Sequence, residues 1–71
     1  MKVIEITTEF IKLQDLLKFA SLVSTGGEAK QLILDGQVAV DGEVCLMRGK
    51  KIRPGNVVFF AGEEFTVSYA D

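Results

Sequence analysis

Residues 25–42 read TGGEAKQLILDGQVAVDG, a run that contains the start and the end of a helix and then a change to strand periodicity. Thr25 and Glu28 have the spacing of a capping box. In that motif the Thr25 hydroxyl accepts from the N–H of Glu28, and the Glu28 side chain reaches back to the N–H of Thr25. Gly36 suits the left-handed position that follows a helix. The sequence therefore predicts a helix over about residues 26–35.

After this helix the apolar period changes to two, which predicts strands joined by tight turns. Asp41-Gly42 is typical of a two-residue hairpin turn, because type I′ geometry needs a positive φ at both central residues. Pro54-Gly55 predicts a type II turn. Strands are expected over Val57–Phe60 and at Phe65, Val67 and Tyr69, with a turn at 61–63 between them.

Upstream of residue 25 the sequence predicts one strand and one helix. The β-branched stretch at about residues 2–7 favours a short strand. An apolar stripe at i, i+3, i+4 and i+7 starts at Leu13 and predicts a first helix over roughly residues 12–22. The expected fold class is α+β: a short N-terminal strand, then two helices packed on a small antiparallel sheet. Residues 1–71 are expected to form a single domain.

Composition argues against most enzymes and for a small binding module. Of the 71 residues 48% are hydrophobic and 25% charged, which indicates a packed core. The chain has no histidine, the commonest general base, and one cysteine, so neither a zinc site nor an internal disulfide is expected. Cys45 is interpreted as a buried small hydrophobe in a strand. No apolar run is long enough to span a bilayer, and an early acid, Glu5, argues against a signal peptide. A domain this small in an oxidising compartment would normally have several cysteines, so we expect a cytoplasmic protein. No cofactor is expected.

Positive charge is concentrated in one short segment. The net charge is −2, yet residues 48–53 carry four of the eight Lys and Arg residues and no acid. Such a run is either a solvated loop or a binding surface for an anion.

Four segments in order resemble the S4 RNA-binding domain, also called the alpha-L motif, over about residues 12–60. The resemblance is strongest to the small stand-alone bacterial proteins of the YaaA and YbcJ type. The segments are Lys12-Leu13-Gln14-Asp15-Leu16-Leu17-Lys18, Gly26-Gly27-Glu28-Ala29-Lys30-Gln31-Leu32-Ile33, Gly36-Gln37-Val38-Ala39-Val40-Asp41-Gly42 and Ile52-Arg53-Pro54-Gly55-Asn56-Val57-Val58.

The resemblance implies a non-enzymatic domain that grips structured RNA, either ribosomal or transfer RNA, with the ribosome as a partner. It implies neither a membrane nor a small-molecule substrate. Carried over position by position, the RNA-binding residues are Lys12, Lys18, Gly26, Gly27, Lys30, Gln31, Arg48, Lys50, Lys51 and Arg53.

The residues themselves support phosphate binding at the start of the second helix, where backbone N–H groups are unpaired and the helix dipole is positive. Gly26 and Gly27 have no side chain to obstruct a phosphate, and Lys30 lies one turn further on. The sequence departs from the family pattern here, because members of the family it resembles often have Arg or Ser-Arg in place of Gly26-Gly27 and Arg in place of Lys30. Asp15 and Glu28 also dilute the positive charge.

Two other functions stay open at this stage. The net charge of −2 motivates a protein-interaction module that uses its acidic surface, whereas a small RNA-acting enzyme has no acid–base or metal constellation to support it. A base-stacking platform of Phe59, Phe60 and Phe65 is a further alternative. Strand alternation instead predicts that Phe59 and Phe65 point inward.

Overall fold

Seven strands and two helices follow one another in the computed structural model, which describes residues 2–70. They are β1 (Lys2–Ile6), β2 (Ile11–Lys12), α1 (Leu13–Phe19), α2 (Gly26–Leu34), β3 (Val38–Val40), β4 (Glu43–Val44), β5 (Lys51–Ile52), β6 (Val57–Phe60) and β7 (Glu63–Tyr69). Within residues 2–70, neither helix has the length and apolar character that crossing a membrane requires.

The predicted second helix is confirmed, together with both of its end signals. The Thr25 hydroxyl accepts from the N–H of Glu28 at 3.2 Å, although the hydrogen bonds formed by residues 2–70 do not include the reciprocal one from the Glu28 side chain. At the other end Gly36 has φ +77°, and the N–H of Gln37 donates to the carbonyl of Leu32 at 3.1 Å. This Schellman arrangement satisfies carbonyl groups that the last turn leaves free.

The first helix is shorter than the predicted range of 12–22, because it ends at Phe19. Ser21 takes the left-handed conformation with φ +60°, and the N–H of Leu22 donates to the carbonyl of Leu17 at 3.0 Å. A serine thus occupies the position that glycine holds after α2. Without a glycine to mark it, this helix end was not recognisable in the sequence.

Both turn predictions are confirmed by the backbone. Asp41 and Gly42 have φ of +50° and +88° and join β3 to β4 as a two-residue hairpin loop. At the second turn Gly55 has φ +99°, and the N–H of Asn56 donates to the carbonyl of Arg53 at 3.0 Å. The turn between β6 and β7 covers residues 61–62 and is one residue shorter than predicted, because β7 already begins at Glu63.

The strands form two separate sheets. Five strands pair in the order β1-β7-β6-β3-β4, and the remaining two, β2 and β5, pair with each other as an antiparallel ribbon, the β2/β5 ribbon. The predicted antiparallel pairing holds for β3, β4, β6 and β7, whereas β1 lies parallel to β7. The larger sheet is therefore mixed, and it brings the first and last strands of the chain side by side.

One hydrophobic core lies between the helices and one face of the sheet. Its buried members come from both helices, from the loop after α1 and from five strands: Ile6, Leu13, Leu16, Leu17, Val23, Ala29, Ile33, Val38, Val40, Ile52, Val58, Phe65 and Val67. Because Ile52 belongs to this cluster, the β2/β5 ribbon is fixed to the same core as the larger sheet.

Two predictions about side-chain burial are wrong. Phe65 points inward as predicted, but Phe59 is 46% exposed, because its cross-strand partner is Glu64 while the neighbouring Val58 is paired with Phe65. Cys45 was predicted to be buried in a strand. It lies just after the end of β4, is half-buried, and its Sγ is 3.7 Å from the carbonyl of Met47.

Candidate nucleic-acid interface

The β2/β5 ribbon places two lysines opposite each other. Its register pairs Ile11 with Ile52 and Lys12 with Lys51. Successive side chains of a strand point to opposite faces, so the buried Ile52 fixes one face toward the core and the lysines on the other. Directly opposite residues of antiparallel strands have Cβ atoms about 5 Å apart. Lys12 and Lys51, both exposed, therefore project side by side from the molecule.

Phe10 directly precedes β2 and Arg53 directly follows β5, so these two residues extend the antiparallel register of the ribbon by one further pair. The Lys51 Nζ atom lies 4.9 Å from the centre of the Phe10 ring, and the Arg53 Cζ atom lies 5.7 Å from it. Both distances are within the range of cation–π attraction. We call Phe10, Lys12, Lys51 and Arg53 the ribbon face.

The neighbouring basic turn is attached to the start of α1 through its backbone. The N–H of Leu13 donates to the carbonyl of Lys50 at 2.9 Å, and the N–H of Gln14 donates to the carbonyl of Arg48 at 3.0 Å. Lys12, the N-cap residue of α1, makes no side-chain capping bond. Carbonyls of the turn therefore satisfy N–H groups that a capping side chain would otherwise serve, and the side chains of Arg48 and Lys50 stay exposed.

Arg53 is positioned by a short chain of hydrogen bonds that begins in the hairpin turn. The Asp41 carboxylate accepts from the Asn56 side-chain amide at 2.7 Å and from the N–H of Val57 at 2.9 Å. The Asn56 side-chain oxygen in turn accepts from the N–H of Arg53 at 2.7 Å. The turn that follows β5 is thus fixed to the turn between β3 and β4.

Within residues 2–70 no acid forms an ion pair with a cation of the ribbon face. Cross-strand pairs of like charge are destabilising, and a cation at a helix N-terminus opposes the helix dipole, so Lys12 is unfavourable on both counts. Within residues 2–70 the ion pair shorter than 4.0 Å is Lys2 with Glu63, at 3.3 Å, in the other sheet. A bound anion would offset this repulsion between like charges.

The start of α2 is open. A Cβ atom built on Gly26 meets nothing within 4 Å, one on Gly27 meets only the Thr25 hydroxyl at 3.9 Å, and neither glycine has a positive φ. Neither packing nor backbone conformation therefore requires glycine. The hydrogen bonds of residues 2–70 include none from the N–H groups of Gly26 or Gly27, and Lys30 is exposed one turn further along.

The structure places five of the predicted site residues in or next to the β2/β5 ribbon and the others on the two helices. Five cations meet around the β2/β5 ribbon: Lys12, Arg48, Lys50, Lys51 and Arg53. Lys18 is exposed in the last turn of α1, and Lys30 is exposed on α2. Gln31 donates its side-chain amide to the Asp35 carboxylate at 2.9 Å.

Phe10 is the member of the site that sequence reasoning missed. It precedes Lys12 by two residues, the spacing that places two side chains on one strand face. That signal was unreadable because β2 is only two residues long.

No metal centre accompanies this surface within residues 2–70, where no group of three Cys, Asp or Glu side chains is arranged to hold an ion. The charges of the ribbon face itself are those of Lys and Arg, and the acids Glu9 and Asp15 lie close to it in the sequence.

Comparison with known families agrees with this architecture. The S4 domain family matches residues 4–68, which is nearly the whole chain. The chain belongs to the S4 domain family.

Individual relatives share most of their length with this chain. YbcJ of Escherichia coli (strain K12) is 42% identical over 57 residues, which cover 80% of this chain and 81% of YbcJ. A Bacillus subtilis (strain 168) protein named "Probable ribosome maturation protein RlbA" is 39% identical over 59 residues, covering 83% of each chain.

Solved structures show the same fold. The solution structure of E. coli YbcJ, described as revealing an alpha-L motif involved in RNA binding, matches with a TM-score of 0.72 and 36% identity, covering 96% of this chain and 87% of that one. The ribosomal protein S4e of Thermoplasma acidophilum matches with a TM-score of 0.68 and 24% identity, covering 90% of this chain and 34% of that one. At this identity the second match supports the fold alone.

Proposed function

We propose that this chain binds structured RNA, ribosomal or transfer RNA, by contacting phosphates and reading helix shape. In this proposal residues 1–71 act as one binding unit in the cytoplasm, without a catalytic step. A-form RNA hides its base edges in a deep, narrow major groove, so a small basic surface contacts the backbone and 2′-hydroxyls. The five cations around the β2/β5 ribbon suit such a ligand.

The observation that carries the proposal is the position of Lys12. It lies opposite Lys51, stands at the positive end of α1, and has no carboxylate within 4.0 Å among residues 2–70. Among residues 2–70 no carboxylate forms an ion pair with Lys12 or Lys51 that would offset this repulsion. A phosphate bound between the two ammonium groups would offset the repulsion. An RNA backbone supplies phosphates at regular intervals.

Relatives support the choice of ligand. The E. coli YbcJ structure, 36% identical to this chain, is described as an alpha-L motif involved in RNA binding. The B. subtilis relative RlbA is named for ribosome maturation, which favours ribosomal over transfer RNA as the ligand here.

The open start of α2 is proposed as a second phosphate contact. Its two N–H groups and the nearby Lys30 are the groups that an anion needs at a helix N-terminus. Lys18 and Gln31 are assigned secondary roles, because Lys18 lies in the last turn of α1 and the Gln31 amide is already engaged by Asp35.

Fluorescence anisotropy with a structured ribosomal RNA fragment, across a salt series, tests the proposal. We expect salt-dependent binding that exceeds binding to duplex DNA of equal charge. We also expect that replacing Lys30, Lys50 and Lys51 together by Glu abolishes binding while the circular dichroism of the fold is unchanged. The proposal is wrong if the wild-type chain does not bind at low salt, or if the folded triple variant binds as tightly.

A matched pair of single variants locates the surface. Lys51→Gln should weaken binding severalfold and lower the salt slope by about 0.7–0.9, the value of one phosphate contact. Lys2→Gln is the control, because Lys2 is also an exposed strand lysine over an aromatic ring, 5.9 Å from the centre of Phe65. Equal losses in the two variants would show a general charge effect and contradict the assignment.

Protein docking is a second candidate function, favoured by an exposed apolar surface that adjoins the basic turn at Lys50. Val44, Leu46 and Met47 are 55–65% exposed and border a shallow groove of about 410 Å³ at the edge strand β4. A protein partner retained after nuclease treatment, and lost on Leu46→Ser, would support this function. Loss of every partner after nuclease would favour RNA alone.

A further inference from the structure

We propose that Phe10 is a positioning residue of the basic surface, whose ring holds the side chains of Lys51 and Arg53 in place for phosphate. This inference deepens the proposed RNA-binding function and rests on it where affinity is concerned. It concerns a residue outside the set predicted from the sequence.

The geometry that carries the inference is the meeting of two cations at one ring. The Lys51 ammonium is 4.9 Å and the Arg53 guanidinium 5.7 Å from the ring centre of Phe10. Phe10 as a whole residue is half-buried. The Phe10 carbonyl also accepts from the Thr8 hydroxyl at 2.7 Å, which fixes the backbone before β2.

An aromatic ring can hold a lysine side chain in place without cancelling its charge, which a carboxylate cannot do. Lys12 lies directly opposite Lys51, and like charges in that relation repel each other, which favours a Lys51 side chain turned away from Lys12. A carboxylate would hold Lys51 but cancel its charge. The face of an aromatic ring attracts the cation through its quadrupole and leaves the full positive charge available to a ligand.

The same ring sets the spacing between cations. Phe10 lies diagonally from Lys51 and directly across from Arg53 when the register of the β2/β5 ribbon is extended by one residue. The two side chains are thereby held in a defined arrangement before RNA arrives. Ordering them in advance reduces the entropy that is lost when RNA binds.

The test compares RNA affinity for Phe10→Leu and Phe10→Trp with wild type by anisotropy. Leucine keeps an apolar side chain of similar volume but has no ring face, so we expect a three- to tenfold loss of affinity, since two cation–π contacts disappear. Tryptophan, the strongest cation–π partner, should bind at least as tightly as wild type. If leucine has no effect, the proposal is overturned.

A double-mutant cycle separates positioning from simple structural damage. In a Lys51→Gln, Arg53→Gln background, Phe10→Leu should change affinity by less than about 1.5-fold, because the cations that the ring holds are already absent. A full loss in that background would show that Phe10 acts through packing or by stacking on a base, and would overturn the proposal.

A measurement without RNA keeps this inference separate from the proposed function. Proton NMR of the free chain should show upfield ring-current shifts on the side-chain methylenes of Lys51 and Arg53, and Phe10→Leu should remove them. If Phe10→Leu does not fold, Phe10→Met takes its place. Absent shifts in wild type contradict the positioning role, whereas present shifts without any RNA binding would contradict only the proposed function.

Discussion

Helix α1 begins against the carbonyl groups of Arg48 and Lys50, which accept from its first N–H groups, whereas α2 begins at Gly26 in open space. The capping is also different. Thr25 caps α2 with its own hydroxyl, while Lys12, in the equivalent position of α1, makes no side-chain cap.

This difference separates two uses of the same physical feature. Every helix start offers unpaired N–H groups and a partial positive charge. At α1 these groups hold a distant basic turn in place and so build the cationic surface. At α2 a local residue completes the cap, and the two glycine N–H groups remain available. The start of α1 therefore stabilises the fold, and the start of α2 is proposed to bind the ligand.

The most damaging change should be one that releases the basic turn from α1. Ile52 is fully buried and joins the β2/β5 ribbon to the core, so Ile52→Ala should lower the free energy of unfolding by about 2–5 kcal/mol. Urea denaturation measures the loss. Ile52→Val, expected to cost about 0.5–1.5 kcal/mol, keeps the test readable if the alanine variant unfolds.

The control for Ile52→Ala is Leu46→Ala, at a side chain that is 55% exposed. Here we expect the free energy of unfolding to change by no more than about 0.5 kcal/mol. Equal losses at the two positions would mean that the buried Ile52 side chain does not stabilise the attachment of the ribbon to the core.

A smaller loss should follow from removing the cap of α2. Thr25→Ala should lower the free energy of unfolding by about 1 kcal/mol, because the N–H of Glu28 loses its acceptor. Thr25→Ser retains a hydroxyl and should remain near wild type. Lys12→Ala, at the uncapped start of α1, should cost nothing or stabilise slightly, since it relieves repulsion with Lys51. If Lys12→Ala costs as much as Thr25→Ala in urea denaturation, the contrast between the two helix starts is wrong.

The smallest effect, and the one with opposite signs in two assays, is expected from Gly27→Ala. The added methyl group meets only the Thr25 hydroxyl at 3.9 Å, and alanine favours helix over glycine, so stability should rise by up to about 1 kcal/mol. RNA affinity should fall severalfold, because the methyl group obstructs a phosphate at the helix start. A more stable variant with unchanged RNA affinity would show that this helix start is not used.

Elements encoded by neighbouring residues were predictable. The α2 helix carries its cap at Thr25 and its stop at Gly36, and the turns at Asp41-Gly42 and Pro54-Gly55 need particular residues for positive φ. The end of α1 was not predictable in this way, since Ser21 takes a conformation that serine only occasionally adopts. The face of the sheet on which the Phe59 side chain lies also depended on strand register, because a shift of one residue moves every side chain of a strand to the opposite face.

Within the site, sequence and family resemblance identified the cations but not their arrangement. Arg48, Lys50, Lys51 and Arg53 stand out as a basic run in a chain of net charge −2. Their position against α1 depends on Lys12 pairing with Lys51, a residue 39 positions away, through a strand of only two residues. Periodicity cannot reveal so short a strand.

Residue order alone therefore determined both helices except for the end of α1, the turns, the inner strands and the concentration of positive charge, because each depends on local conformational preference or composition. Tertiary structure decided that β1 lies parallel to β7, that Lys12 faces Lys51, and that Phe10 lies beneath two cations. The reason is that these contacts join distant segments, and their geometry is set by how strands are placed on a shared core.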